Sequence, residues 1–453
     1  MSISRGAGTI FGLSTGRGRS AVAVVRISGY NAQTALQKMT NRDDFPPRQM
    51  AFVNILHPLK KTLIDKGMIV YFPGPKSFTG EDCCEFHIHG GKAVISSVLE
   101  SLATIPDFRP AEAGEFTRRA FLNNKLDLTK VEGLADLLNA ETESQRKQAL
   151  RQVGGDLELL YKNWRRQILK SIANVEAFID FAEDENISST AIQEVEEIVK
   201  KLIYEIKNHL SDNRRGERLR DGVHVAIVGE PNVGKSSLMN ILCQRQAAIV
   251  SPVAGTTRDV LETTIDIGGY PMILCDTAGI RRTTDDVEQE GVNRAKKRAE
   301  NADLVILVKD ASKVDAPESS NIDHFLKGWD EDVLTVWNKI DLVKEKTYDG
   351  VSLSCTTKAG LTGFLSELTK KIANLCADPE SESPVLTKAR HRIELTRCVE
   401  NLLEYLNFSK NDSDLVISAH KLRTAVKHMG SITGEIYADG ILDVIFSDFC
   451  IGK

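Results

Sequence analysis

The segment VAIVGEPNVGKSS, residues 225–237, constrains the fold of this chain more than any other feature. An apolar run with the character of a buried strand leads into the pattern G-x-x-x-x-G-K-S, and the helical run SLMNILC follows. Glycines at these positions let backbone N–H groups wrap around phosphates. The arrangement predicts a P-loop in an α/β domain, in which Lys235 reaches the β and γ phosphates and Ser236 binds Mg²⁺.

Three further motifs follow the P-loop in the order that a GTP-binding domain requires. GTTRD offers Thr257 as a second Mg²⁺ ligand, and DTAG offers Asp276 to the Mg²⁺ shell and the Gly279 amide to the γ-phosphate. NKID offers the Asp341 carboxylate, which can accept hydrogen bonds from N1–H and the 2-amino group of guanine. Adenine lacks that pair of donors and would leave a buried carboxylate unpaired. The motifs therefore predict a GTP site rather than an ATP site.

The loop that closes over the base, SLSCTTKAG, is less regular. It supplies Ser354, Cys355 and Thr356 where GTPases usually have Ser-Ala-Lys. Because threonine cannot stack along the base as a lysine stem can, we expect weaker base packing and modest nucleotide affinity. The residues expected to contact GTP come from all of these segments: Asn232, Val233, Gly234, Lys235, Ser236, Ser237, Ser251, Thr256, Thr257, Asp276, Thr277, Ala278, Gly279, Asn338, Lys339, Asp341, Ser354, Cys355 and Thr356.

The residue after DTAG raises a question about hydrolysis. Many small GTPases have a glutamine there that orients the attacking water, but this chain has Ile280, which cannot hold a water. Either the chain hydrolyses GTP poorly or another residue takes that role. Arg258 is only one candidate for an arginine finger. The Asn232 side-chain carbonyl, with backbone carbonyls of SPVAGTT, could instead hold a monovalent cation that neutralises developing charge.

The α/β pattern fills only the middle of the chain, which predicts a multidomain protein. Residues 1–121 contain short apolar runs broken by glycine and proline, which is typical of an α+β domain. Helical spacing fills residues 122–218, strands alternate with helices over 219–383, and helical spacing returns over 384–453. We therefore predict an α/β domain inserted between two halves of an all-α domain.

Composition supports a folded, multidomain protein. A chain of 453 residues is too long for one core and suggests about two to four domains. The net charge of −5 means that nucleic-acid contact would need a local basic patch, and we find no apolar run that could span a membrane. The eight scattered cysteines predict reduced thiols. Residues 1–42 lack acids, as transit peptides do, but AVAVVRISG predicts a strand, so we expect most of this segment to be folded.

Over its whole length the chain resembles the MnmE/TrmE family of tRNA-modification GTPases. The resemblance rests on AVVRISG, FPGPKSFTGEDCCEFHIHGG, AGEFTRRAFLNNKLDLTKVEGLADLL, GEPNVGKSSLMN, SPVAGTTRDVLE and the terminal FCIGK. It implies an N-terminal domain that binds folate and forms a homodimer, a helical domain, and an inserted Ras-like G domain. RRGERLRDGVHVAIVGEPN resembles the mitochondrial branch, which implies the mitochondrial matrix, with the bacterial cytoplasm as the alternative.

The resemblance also implies chemistry and partners. Members act with an FAD-containing MnmG-type protein (called MTO in some mitochondria), in a heterotetramer or larger complex, on carbon 5 of the wobble uridine (U34) of certain tRNAs. The one-carbon donor is a tetrahydrofolate, 5,10-methylene or 5-formyl. The family's folate-contact positions correspond to Arg26, Glu85, Lys125 and Lys453. These residue types fit, because a carboxylate can pair with the donor edge of a pterin and cations suit the glutamate tail.

For hydrolysis, the resemblance implies a potassium site and a catalytic glutamate. The potassium ligands correspond to Asn232, Ser251, Val253 and Thr256, and the site is completed when two G domains meet. The family's essential glutamate corresponds to Glu288, which we expect to act on the attacking water through a bridging water. Catalysis is therefore assigned to Glu288 and Asn232.

Three features of the sequence have more than one interpretation. Cys83, Cys84, His87 and His89 suggest a metal site, but strand alternation places Cys84 and the histidines on opposite faces, so we do not favour one. Cys450 could be a nucleophile, although we expect a packing role. The cluster of Arg214, Arg215, Arg218 and Arg220 suits either tRNA or a helix C-terminus.

Two other functions remain open at this point. A regulatory or ribosome-assembly GTPase would switch without folate chemistry, and pterin binding by the N-terminal segment would exclude it. A folate enzyme with a vestigial GTP site would show no GTP turnover.

Overall fold

A computed structural model describes residues 8–16, 18–181, 190–245, 263–274, 299–313, 332–344, 348–378, 384–409, 415–437, 439–447 and 449–453. Its strands are β1 Thr9–Leu13, β2 Val22–Ser28, β3 Ala51–Leu56, β4 Leu63–Phe72, β5 Cys83–His89, β6 Phe108–Pro110, β7 Val223–Gly229, β8 Thr263–Ile267, β9 Tyr270–Leu274, β10 Leu304–Asp310, β11 Val333–Asn338 and β12 Val351–Ser352.

Its α-helices are α1 Ala32–Thr40, α2 Lys92–Ala103, α3 Glu115–Leu122, α4 Leu128–Asn139, α5 Glu143–Gly154, α6 Asp156–Phe181, α7 Thr190–Leu210, α8 Arg215–Asp221, α9 Lys235–Arg245, α10 Leu361–Leu375, α11 Ala389–Phe408, α12 Leu415–Thr433 and α13 Asp439–Ser447. The chain divides into two compact units, Met1–Ala135 with Gly430–Lys453 and Asp136–Met429. The first division falls inside α4 and the second inside α12.

The first unit is built on a mixed six-stranded sheet in the order β3-β4-β5-β2-β1-β6. Neighbouring strands are antiparallel except β1 and β6, which run parallel. The strand predicted from AVAVVRISG is confirmed as β2, and its Val25 and Ile27 are buried in one core with Leu36 of α1 and Leu102 of α2. The opposite face of β2 therefore carries Arg26.

The alternation predicted for CCEFHIH is also confirmed. Cys84, Phe86 and Ile88 of β5 lie in the same core, while Glu85 and His87 are only partly buried on the other face. This alternation matters for function, because it turns Glu85 towards the face that carries Arg26.

The second unit joins a parallel sheet to helices that come from both sides of it in the sequence. The sheet order is β12-β11-β10-β7-β9-β8, and only the β8–β9 pair is antiparallel. The helix α7 packs against α6 and also against α11, which follows the sheet in the chain. Apolar side chains of α9 and α10 bury one face of the sheet, among them Leu238, Phe364 and Leu368.

These units confirm the predicted multidomain class, with an α+β N-terminal part, helices and a P-loop α/β part. The three boundaries between the four predicted segments stay predictions. Within the described ranges, no helix is long and apolar enough to cross a membrane.

Candidate functional site

The P-loop lies where a phosphate site is expected in a parallel sheet, at the carboxyl end of the central strand β7. Its glycines are required by the backbone, since φ is +150° at Gly229 and +103° at Gly234. A Cβ atom at Gly234 would also overlap the Nδ2 atom of Asn338. The two glycines thus fix a narrow turn between β7 and α9 whose amides are available to an anion.

The polar side chains of this turn are placed for phosphate and metal ligation. Lys235 Nζ donates to Gly229 O at 2.9 Å and to Glu230 O at 2.6 Å, which holds its ammonium group over the loop. Ser236 is exposed in the first turn of α9. Asn232 lies at the apex of the loop with φ of +64°. It is exposed, so its side-chain amide is accessible. The expected ligands of phosphate and Mg²⁺ therefore lie on one continuous turn, and they fit these groups.

Asn338 joins the P-loop to the base-closing loop. Its side chain is 2% exposed; Nδ2 donates to Val233 O at 2.7 Å, and Oδ1 accepts from Cys355 N at 3.0 Å. One buried amide therefore holds three segments in register. A GTP contact was predicted for Asn338, but this bridging role was not.

The remainder of NKID forms a short 3₁₀ turn, Ile340–Leu342. Lys339 Nζ donates to Asp310 Oδ2 at 2.6 Å. Burial opposes ionisation of Asp310, but the hydrogen bonds from Lys339 and Ser312 outweigh it, and the pKa of Asp310 lies below its ordinary value. Asp341 is exposed, so its carboxylate is accessible to a base.

The base-closing loop is ordered by hydrogen bonds between its own residues. Ser354 is fully buried, and its Oγ accepts from Thr357 N at 3.1 Å. Burial raises the pKa of the Cys355 thiol, which keeps it protonated. Thr356 is exposed, as is expected of a residue that would flank the base.

Several predicted site residues lie outside the described residues. They are Ser251, Val253, Thr256, Thr257, Asp276, Thr277, Ala278, Gly279 and Glu288.

A second cluster of predicted residues lies on the sheet of the first unit. Arg26 and Glu85 are cross-strand neighbours on β2 and β5, and Arg26 Nε donates to Glu85 Oε1 at 2.9 Å. The Arg26 guanidinium group lies 5.3 Å from the ring centroid of Phe78 and 6.0 Å from that of Phe116. His87 Nε2 lies 3.3 Å from Glu85 Oε2, a contact that the strand alternation could have indicated. The cluster thus combines a carboxylate, a cation and two aromatic rings.

The terminal residues reach the same cluster. Ser14 Oγ donates to Gly452 O at 2.9 Å, which fixes the last residues beside β1. Burial and then the charge of Arg26 lower the pKa of Lys453, while Glu85 raises it, so Lys453 lies within electrostatic reach of both. Lys125 is exposed, and its ammonium group donates to Pro75 O at 3.1 Å. Three of the four predicted folate residues are therefore close together, and Lys125 contacts the loop after β4 instead.

The cysteine and histidine side chains considered as metal ligands do not lie together. Cys84 Sγ donates to Ala32 O at 3.3 Å in the core, whereas His89 Nδ1 lies 2.8 Å from Asp65 Oδ1 on the other side of the sheet. Within the described ranges no group of three or more potential ligands could hold a metal ion. The packing role expected for Cys450 is wrong, because its side chain is exposed.

The arginine cluster before β7 is largely paired within the protein. Arg214 contacts Glu217 at 2.6 Å, Arg218 contacts Asp303 at 2.8 Å and Arg220 contacts Asp136 at 2.9 Å. The cluster lies in and just before the short helix α8, and Arg218 and Arg220 occupy its last turn, as the helix C-terminus alternative expects. These ion pairs give the cluster a structural role.

Comparison with known proteins places the chain among its relatives. Residues 128–450 match the family model "MnmE helical domain", and residues 9–125 match "GTP-binding protein TrmE N-terminus". The chain is 49% identical over 469 residues to the mitochondrial 5-taurinomethyluridine-tRNA synthase subunit GTPB3 of Danio rerio, covering 98% of this chain and 93% of that protein. It is 46% identical over 453 residues to the tRNA modification GTPase MnmE of Rickettsia typhi, covering 98% and 100%.

Among solved structures, the G domain of the T. maritima FeoB iron transporter matches 34% of this chain and 98% of its own, at 26% identity and a TM-score of 0.23. Because that score is low, this likeness adds nothing to the assignment.

Proposed function

This chain belongs to the MnmE/TrmE family, and from that premise we propose that it is a potassium-activated GTPase that modifies carbon 5 of the wobble uridine in certain tRNAs. At the coarser level it is a GTPase acting in tRNA modification. The finer proposal adds a tetrahydrofolate donor, a homodimer and an FAD-containing MnmG-type partner.

The observation that best supports the nucleotide half is the bridge made by Asn338. It ties the P-loop to the base-closing loop through one buried and one partly buried hydrogen bond, so the ends that would hold phosphate and base are fixed relative to each other. Because these loops are already ordered, binding loses less conformational entropy. In this site Lys235 would bind the outer phosphates, Ser236 would ligate Mg²⁺, and Asp341 would read guanine.

The folate half is supported by the Arg26–Glu85 pair. Both side chains are mostly buried, at 18% and 16% exposure, so the pair is largely shielded from water, and Glu85 has a further contact with His87. The free lone pairs of Glu85 suit a donor edge such as that of a pterin, and the aromatic rings beside Arg26 suit a planar ring. Lys453 would add positive charge for the glutamate tail. Bound tetrahydrofolate would supply the one-carbon unit.

Hydrolysis is proposed to rely on Asn232 and Glu288. The Asn232 amide is exposed at the apex of the P-loop, where its carbonyl could ligate K⁺ beside the phosphates together with Ser251, Val253 and Thr256. Glu288 would orient the attacking water in place of the glutamine that Ile280 replaces, once two G domains have met.

Assembly and location follow from the relatives. The Danio rerio protein is named a synthase subunit, which supports a multi-protein enzyme. We propose the mitochondrial matrix, since that relative is called mitochondrial and is 49% identical to this chain. The bacterial cytoplasm is the alternative, supported by the bacterial relative at 46% identity.

Two measurements test this function on purified full-length protein. GTP turnover should be faster in K⁺ than in Na⁺ at equal ionic strength. Titration with 5-formyltetrahydrofolate should show saturable binding. GTP turnover without any folate binding would favour a purely regulatory GTPase, whereas folate binding without turnover would favour a folate enzyme with a vestigial nucleotide site.

A further inference from the structure

Two chain crossings join the α/β part of the second unit to its helices. The first crossing is α8, Arg215–Asp221, which leads into β7, and the second follows α10 and reaches Lys388 just before α11. The two crossings contact each other, because Ala377 N donates to Arg215 O at 3.0 Å. The position of the nucleotide-binding part on the helices therefore depends on how these crossings are held.

One carboxylate holds both crossings. Asp136 Oδ1 accepts from Arg220 Nε at 2.9 Å on the first crossing and from Lys388 Nζ at 2.8 Å on the second. The side chains of Asp136 and Lys388 are each 14% exposed, and that of Arg220 is 34% exposed. Removing one partner of a mostly buried ion pair costs more than removing one partner of an exposed pair, because the other charge is left buried without its partner.

The helix α5 reinforces the same arrangement. Gln145 Nε2 donates to Arg220 O at 2.8 Å, and Thr387 Oγ1 donates to Gln152 Oε1 at 3.0 Å. These residues also line a cavity of about 110 Å³ that includes Asp136, with polar side chains beside the apolar Leu219 and Ala149. Leu219 of the first crossing is buried in the apolar core, and these polar contacts add directional bonds that hold both crossings to α5.

We propose that Asp136 is a positioning residue that fixes the orientation of the nucleotide-binding part and thereby couples its state to tRNA modification. Because both crossings bond to one carboxylate on α4, a shift in one crossing is passed to the other. Loss of the Asp136 charge removes an ion pair from both crossings at once, while Arg220 keeps its contact with Asp221 at 2.9 Å, so both crossings are held less firmly. The coupling part of this inference rests on the proposed function.

The test uses full-length protein with Asp136→Asn and, as a matched control, Glu143→Gln, which removes an exposed ion pair with Arg146 on α5. Spin labels introduced as unnatural amino acids at positions 201 and 370 report the distance between α7 and α10, where the native lysines are exposed. GTP affinity, GTP turnover and tRNA modification are measured on the same variants. Lys388→Gln releases one crossing only and serves as a milder second variant.

For Asp136→Asn we expect a clearly broader distance distribution than in wild type, with GTP affinity and intrinsic turnover within about twofold of wild type. We expect tRNA modification to fall about tenfold or more, within the usual range of coupling between sites. Lys388→Gln should lie between wild type and Asp136→Asn in both readouts, and Glu143→Gln should match wild type.

An unchanged distance distribution in folded Asp136→Asn overturns the positioning role. A broadened distribution with full tRNA modification overturns the coupling. If Asp136→Asn does not fold, the same two outcomes are read from Lys388→Gln. Wild-type protein that modifies no tRNA contradicts the proposed function instead, and the distance measurement, which needs no tRNA, still decides the positioning role.

Discussion

Replacing Asn338 with alanine should show how much nucleotide affinity depends on the bridge between the two loops. The substitution leaves Val233 O and Cys355 N without their buried partner, and an unsatisfied buried backbone group costs about 1–3 kcal/mol. Cys355 is only partly buried, so water can reach its amide and the total should lie near the lower end, at about 2–3 kcal/mol. If GTP must reorder the released loops, this free energy appears as a loss of affinity of about 30- to 160-fold.

Isothermal titration with GDP and Mg²⁺ measures this loss directly. The control is Asn240→Ala, which removes the same side chain from an exposed position on α9 and should leave affinity unchanged. A dissociation constant for Asn338→Ala within about threefold of wild type, corresponding to less than about 0.7 kcal/mol, would refute the bridging argument.

Five further substitutions test the individual roles. Asp341→Asn should weaken GTP binding and gain xanthosine triphosphate, because the amide donates where the carboxylate accepted; competition binding measures both, and loss of GTP without that gain would point to a misfolded loop. Arg26→Ala and Glu85→Ala should each abolish binding of 5-formyltetrahydrofolate in fluorescence titrations, since each breaks the Arg26–Glu85 pair proposed to hold the ligand, and unchanged binding in both would remove them from the site. Glu288→Ala should bind GTP normally yet lose about 10²–10⁴-fold in turnover, and wild-type turnover in K⁺ would contradict its role. Asn232→Ala should erase the difference between K⁺ and Na⁺ in steady-state hydrolysis, so a retained difference would place the cation elsewhere.

Features carried by short, contiguous motifs could be predicted from the sequence. The P-loop follows from the strand–glycine–helix order, and the structure places Lys235 and Ser236 on the predicted turn. The faces of β5 follow from alternation, which predicts Glu85 opposite the buried Cys84. These predictions succeed because the backbone geometry of one element fixes where its side chains point.

Contacts between distant parts of the chain could not be predicted in the same way. Asn338 and Val233 are 105 residues apart, and no local pattern indicates that one side chain joins the two loops. Arg220 was grouped with its arginine neighbours, yet its partner Asp136 lies 84 residues earlier. The exposure of Cys450 and Asp341 likewise depends on which segments pack around them, which a single sequence does not specify.

Mass spectrometry of wobble nucleosides tests the central claim most directly. Transfer RNA is isolated from cells that lack this protein and from the same cells complemented with wild type or with Lys235→Ala, which removes the P-loop ammonium group. We predict that uridine modified at carbon 5 disappears from the wobble position without the protein, returns with wild type and does not return with Lys235→Ala. Unchanged levels of that modified uridine in cells lacking the protein would contradict the account.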